Sequence, residues 1–161
     1  MRKTENNYAF IDGQNLNLGI RELGWRLDFR KFRIYLAEKH AVRRAYFFIG
    51  YIPRNRTLYA ALAAYGYALV FKEVMPNGNG GTKGNVDAEL VLQAMIDYEH
   101  YHQAVIASGD GDFACLARYL GDNGKLGRIL APTHKGCSVL LKRAARGSVF
   151  FLEEAKSLLE Y

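Results

Sequence analysis

The chain has 161 residues, half of them apolar and 24% charged, with 22 basic against 16 acidic side chains for a net charge of +6. This composition suits a single globular domain over residues 1–161 and excludes intrinsic disorder. The longest apolar run, Leu58–Tyr65, falls far short of the ~20 residues that span a bilayer. The first residues offer no apolar core for a signal peptide. Cys115 and Cys137 stand alone, without metal-binding spacing, so a reducing, cytoplasmic setting without membrane association is expected. The positive charge favours a polyanionic partner.

In chain order, two textures alternate. Tyr8–Ile11 reads as a strand, and Phe29, Phe32, Ile34, Tyr35 and Leu36 begin a helix. Ala45–Ile49 is the second strand, Leu58, Leu62 and Tyr65 mark a helix, and Ala68–Phe71 is the third strand. Asn77–Gly81 reads as a loop of glycine and asparagine. Leu90, Val91, Ala94, Met95 and Tyr98 form one face of a helix. Ala104–Ala107 is a strand, followed by a helix through Phe113, Leu116, Ala117 and Leu120 that closes on Gly121 and Gly124. Gly127–Ala131 and Val149–Phe150 are the last strands, with Val139, Leu140 and Ala144 on a helix between them. Alternating strands and helices predict an α/β fold: a three-layer α/β/α sandwich on a mostly parallel central sheet of about five strands.

A parallel sheet places its ligand site where its strands end. Directly after Tyr8–Ile11 come Asp12-Gly13-Gln14-Asn15, and directly after Ala104–Ala107 come Ser108-Gly109-Asp110-Gly111-Asp112. Each aspartate taken singly is equally well a turn or helix-capping residue. Several carboxylates converging at one edge repel one another, however, and call for a cation. Asp87 lies three residues before Leu90, on the helix face assigned to the core, where a carboxylate needs a partner or a metal. Asn85 beside it is a candidate cap. Glu89, Asp97 and Glu99 read as solvated surface. Carboxylates without cysteine or histidine are hard oxygen ligands that select Mg²⁺ or Mn²⁺, and such ions serve phosphoryl chemistry.

Phe10-Ile11-Asp12-Gly13-Gln14-Asn15 resembles the opening motif of NYN domains, the PIN-like ribonuclease group that includes the bacterial LabA-like proteins. Lys83-Gly84-Asn85-Val86-Asp87 with Leu90 resembles that family's second motif, and Ser108-Gly109-Asp110-Gly111-Asp112-Phe113 its third. The resemblance runs in family order from Tyr8 onward. It implies a PIN-like sandwich, a Mg²⁺ or Mn²⁺ site on Asp12, Asp87, Asp110 and Asp112, Asn15 as a polar companion orienting Asp12 or a water, and endonucleolytic cleavage of RNA.

For substrate contact, Lys83 follows the glycine-rich loop as a point charge for a phosphate, against the alternative of a solvated lysine. Ser108 is a candidate donor to a phosphate or a carboxylate, against a turn-forming role. Arg143 and Arg146 belong to a basic group with Lys135 and Lys142, and Arg54 and Arg56 to a second. Both could carry a single strand whose bases stack on rings such as Tyr51 and Tyr59. His40, His100, His102 and Trp25 read as surface or packing residues, and His134 as a weak candidate for the neighbourhood of the site. The leading expectation is a metal-dependent ribonuclease acting on single-stranded or structured RNA. The alternatives are a non-catalytic RNA-binding or regulatory protein and a small-molecule phosphohydrolase. The apolar and aromatic content is also compatible with a homodimer.

Overall fold

A computed structural model describes residues 5–73, 75–76, 82–83 and 85–161. In chain order the elements are β1 (Asn7–Asp12), α1 (Gly13–Arg21), α2 (Phe29–His40), β2 (Val42–Tyr51), α3 (Arg56–Ala64) and β3 (Tyr67–Glu73). A two-residue antiparallel pair follows, β4 (Met75–Pro76) with β5 (Thr82–Lys83). The second half comprises α4 (Asp87–Ile96), β6 (Ala104–Ala107), α5 (Ala114–Asp122), β7 (Leu126–Ala131), α6 (Val139–Ala145), β8 (Val149–Phe151) and α7 (Lys156–Leu159). The expected loop at Asn77–Gly81 lies outside the described residues.

The main sheet has six strands in the order β3-β2-β1-β6-β7-β8, all parallel. A sheet of about five was expected, although six runs read as strands, Val149–Phe150 among them, and all six join it. Alternation along each strand sends side chains to opposite faces. Phe10, Phe48, Ala104 and Ile106 pack with Leu90 of α4, Leu116 and Leu120 of α5 and Leu141 of α6. Ala9, Ile11, Phe47, Val105 and Ala107 pack with Leu16 and Ile20 of α1, Phe32 and Leu36 of α2, Leu62 of α3 and Leu159 of α7. The expected α/β/α sandwich is therefore present, with helices on both faces. Phe10, Leu90 and Ile106 are fully buried, where truncation of such a side chain to alanine costs about 2–5 kcal/mol.

Strand positions match expectation closely because uninterrupted apolar runs suit strands covered on both sides. β2 extends beyond Ala45–Ile49 at both ends, since its ladder with β1 starts at Val42 and that with β3 runs to Tyr51, whatever the polarity of Arg43 and Arg44. Besides the short pair β4 and β5, two helices carry no sequence expectation. Helix α1 starts at once after β1, where Gly13–Asn15 reads as loop, and α7 is only one turn long.

Asp97 overturns the expectation of solvated surface. It is 8% exposed, and its Oδ2 accepts hydrogen bonds from the Tyr46 hydroxyl at 2.5 Å and from Gln93 Nε2 at 3.0 Å. Asp97 lies seven residues after Leu90 and three after Ala94, so helical periodicity places it on the same buried face. The helix ends there, and the chain turns inward toward Tyr101, which is itself buried. Burial first, and then Asp97, pushes the Tyr46 phenol up to about 12. Glu89 is half-buried and pairs with Lys72 at the end of β3 at 3.5 Å. Trp25 is buried in the core, as expected of a packing residue.

The strand order reverses between β1 and β6. From β1 the chain builds outward through β2 and β3, then crosses over to β6 and builds the other way. The connection leaving β1 covers one face and the connection leaving β6 covers the other. A crevice therefore opens beyond the ends of these two strands, which is where open α/β sheets bind ligands.

Candidate active site

The register of the two central strands assembles the first half of the site. Tyr8 pairs with Ala104 and Ile11 with Ala107, so the next residues, Asp12 and Ser108, come out side by side. Both follow the alternation that sent Phe10 and Ile106 toward α4 and α5. Ser108 Oγ donates to Asp12 Oδ2 at 3.4 Å and accepts the Asp110 N–H at 3.1 Å. Asp12 Oδ1 caps α1 by accepting the Asn15 N–H at 3.3 Å. The two oxygens of this carboxylate thus take different partners, Oδ1 the helix cap and Oδ2 the Ser108 hydroxyl.

Asn15 ties the two loops together: its Oδ1 accepts the Gly109 N–H at 2.9 Å. Gly13 and Gly111 allow the approach. A Cβ on Gly13 would lie 2.4 Å from Phe47 Cε1, and one on Gly111 would lie 2.5 Å from Ser138 Oγ, contacts that no side chain can make. Asp110 Oδ1 accepts the Asp112 N–H at 2.9 Å and so caps the short 3-10 turn that leads into α5.

Asp87 comes from the other direction, on the first turn of α4. Asn85 Oδ1 accepts the Asp87 N–H at 2.8 Å, as its reading as a cap anticipates. The buried Leu90 and Ala94 fix this helix against the sheet and bring the carboxylate over the strand ends. One carboxylate oxygen from each of Asp12, Asp87 and Asp110 lies within 4.8 Å of the other two. Asp12, Asn15, Asn85, Asp87 and Asp110 line a pocket of about 270 Å³.

The electrostatics are unfavourable for three bare charges. Burial raises the Asp12 carboxyl above its ordinary value, with the Asp110 charge adding to the rise, against the opposing hydrogen bonds from Asn15 and Ser108. Burial likewise pushes Asp87 up to about 6. A hydrogen bond with Asp112, open only to a protonated carboxyl, and the charges of Asp110 and Asp12 push the same way. Asp87 Oδ2 is buried and has no hydrogen-bond partner. At an effective dielectric constant of about 20, two charges at such distances repel by roughly 3 kcal/mol. A divalent cation would relieve this repulsion and satisfy the orphaned oxygen. The donor set, carboxylate oxygens only, fits a hard cation such as Mg²⁺ or Mn²⁺.

The remaining candidates divide. Asp112 is exposed and stands beside Asp87, outside the tightest group of three. Ser108, expected at the substrate, is 0% exposed; its hydroxyl serves Asp12 and Asp110 from behind, because the register turns it inward. Lys83 lies on β5, and its side chain is outside the described residues. Arg143 and Arg146 are not brought to the carboxylates. Helix α6 starts beside the site, where the Ser138 N–H donates to the Gly109 carbonyl at 3.0 Å, and runs back toward the edge where strands begin. There Arg146 pairs with Asp122, at the end of α5, at 2.8 Å. In a parallel sheet each helix must make this return, so one that starts at the site ends far from it. Sequence reasoning also missed a cleft of about 550 Å³ next to the acidic pocket, which shares Gln14 and Leu18 with it. Its walls come from α1, residues 26–29 leading into α2, β2, α3 and Tyr161, a set no local pattern connects.

Comparison with known proteins agrees with this architecture. The profile of the NYN domain family matches residues 8–153. Over 114 residues, 65% of the chain, the sequence is 32% identical to the Low amplitude and bright protein LabA of Synechococcus elongatus; the matched stretch spans 61% of that protein. The fold is similar to the crystal structure of a protein of unknown function from Vibrio parahaemolyticus, with a TM-score of 0.80, 20% identity and full coverage of both chains.

Proposed function

The chain belongs to the NYN domain family, which is PIN-like and nuclease-type, and from that premise we propose that it is a metal-dependent endoribonuclease. The observation that carries the proposal is the convergence of Asp12, Asp87 and Asp110, with one oxygen from each within 4.8 Å of the others and Asp87 Oδ2 orphaned. A protein that only binds RNA gains nothing from concentrating negative charge where a phosphate must come. The net charge of +6 fits a polyanionic substrate.

Asp12, Asp87 and Asp110 would hold Mg²⁺ or Mn²⁺, which supplies charge neutralisation at the phosphoryl oxygens and a more acidic water. The chain's own residues do the positioning. Ser108 and the Asn15 N–H fix both oxygens of Asp12, and the Asn15 side chain holds the Asp110 loop against the first turn of α1. Water attacks phosphorus in line with the bond to be broken. Asp112, beside Asp87 and outside the group of three that would hold the ion, accepts the proton that water loses. The opposite P–O bond breaks with its electron pair going to the departing RNA oxygen, which takes up a proton from solvent. No covalent intermediate with the protein is needed.

The test compares labelled RNA, single-stranded DNA and a small phosphate diester with Mn²⁺, with Mg²⁺ and with chelator. RNA cleavage that requires the ion supports the proposal. RNA that binds and stays intact under every ion condition overturns catalysis in favour of a binding or regulatory role. Hydrolysis of the small diester with no action on RNA overturns it in favour of a small-molecule phosphohydrolase.

A further inference from the structure

The 550 Å³ cleft is larger than the acidic pocket and adjoins it, with Gln14 and Leu18 lining both. Its floor is made of Phe47 and Leu62, which are buried, and Gly13 stays side-chain-free so that Phe47 can lie against it. Leu58 and Tyr65 at its rim are 41% and 39% exposed. Arg21, at the end of α1, and Arg26 also line it. Among the described residues neither arginine is in an ion pair; Arg26 rests over the Tyr161 ring at 5.0 Å. Asp28 is the one acid in the lining, and its Oδ1 is committed to capping α2 through the Arg30 and Lys31 N–H groups.

We propose that this cleft receives one nucleotide unit next to the phosphate held over Asp12, Asp87 and Asp110: the base against its apolar floor and Tyr65, and the following phosphate toward Arg21 and Arg26. The inference rests on the nuclease reading for the identity of the neighbouring phosphate. Three observations carry it. The volume lies in the range of ligand sites, about 300–1,000 Å³, and such sites pair apolar walls with a few polar groups. The cleft borders the acidic pocket along Gln14 and Leu18, within reach of a strand that crosses both. Its unpaired cations complement a phosphate, in contrast to the carboxylates next door. Stacking on aromatic and apolar side chains tolerates any base, so the cleft confers binding with little sequence preference. A strand of RNA and a free mononucleotide share this chemistry.

The test is a binding titration in chelator, so that no cleavage intervenes, with a short fluorescein-labelled single-stranded RNA and, separately, with AMP and UMP. Ala61→Trp fills the cleft from α3, and Leu58→Glu, at an exposed position that does not threaten folding, puts a negative charge on its rim. Each is expected to weaken RNA binding about tenfold. RNA made abasic at successive positions should lose affinity for the wild type at one position and lose nothing further for Ala61→Trp at that position. Mononucleotide binding that is lost in both variants, without RNA binding, supports the nucleotide site and identifies free nucleotide as its source. Equal RNA affinity in the wild type and both variants, with no mononucleotide bound, overturns the proposal even if the protein cuts RNA. An RNA that binds through the cleft and is never cut with Mn²⁺ or Mg²⁺ leaves the cleft standing and overturns the nuclease reading instead.

Discussion

At the edge where its strands end, the sheet gathers Asp12, Asp87 and Asp110, and burial first, with their mutual charge adding to it, raises the carboxyls of Asp12 and Asp87. At the edge where its strands begin, Asp122 and Arg146 meet in solvent as an ordinary pair at 2.8 Å, both well exposed. The second arrangement contributes ~0–1 kcal/mol and marks nothing. The first works against folding when no cation is present, and a chain that maintains such a cost at one edge is maintaining a site. The contrast also bears on the arginines. Positive charge far from the carboxylates neutralises a neighbour, whereas Arg21 and Arg26, beside the cleft, form no ion pair among the described residues.

The sharpest way to break this contrast is to relieve the crowding. Asp110→Asn should lower ion-dependent RNA cleavage by at least about 100-fold while the metal-free melting temperature stays level or rises, because one of three repelling charges is gone. Wild-type cleavage by the purified variant would remove Asp110 from the site. Ser108→Ala should come next in size. It deletes the donor to Asp12 and the acceptor for the Asp110 N–H in a dry setting, so we expect a loss of about 1–2 kcal/mol in denaturant unfolding and roughly a tenfold fall in cleavage. A variant as stable and active as the wild type would show that Asp12 needs no support from behind.

The titration of the site gives a third measurement. The folded protein raises Asp87 from 3.8 to about 6 and raises Asp12 in the same direction, so folding favours their protonated forms. In chelator, the stability these groups contribute is therefore complete below about pH 4 and is lost as pH rises through 6. Ion binding runs the opposite way, because the cation displaces the proton. Below pH 6 the affinity for Mn²⁺ should rise by about tenfold per pH unit for each proton released, then level off above it. Affinity flat from pH 5 to 7 would contradict this. The smallest effect is expected at the other edge. Arg143→Ala with Arg146→Ala should change RNA affinity less than about threefold and the salt dependence of binding hardly at all, since both residues lie where strands begin. A drop in affinity as large as that of the cleft variants would mean that the RNA path reaches around the sheet.

Much of the site was legible in the amino-acid order. Asp12 and Asp110 directly follow apolar runs that could only be central strands, and Asn85 stands where a cap for Asp87 belongs, so the acids could be assigned to one edge before any coordinate. Asp97 was read as solvated surface for its charge, yet it stands seven residues after Leu90, on the buried face at the end of α4, and Tyr46 from a strand 51 residues away closes over it. Ser108 was left open between a phosphate, a carboxylate and a turn role because a serine in a glycine-rich loop has no intrinsic direction; the register gives its hydroxyl to the Asp12 carboxylate.

Local pattern specifies which way each residue faces within its own element, because burial and backbone geometry repeat every two or 3.6 residues. That was enough for the layers, the six strands and the edge at which the carboxylates emerge. It carries no information on which elements lie next to each other. Parallel register set Ser108 against Asp12 across 96 residues, the packing of α4 set Asp87 over both, and the obligatory return of α6 took Arg143 and Arg146 away. The cleft between α1 and α3 exists only as the space those packed elements leave, and so no stretch of the chain encodes it.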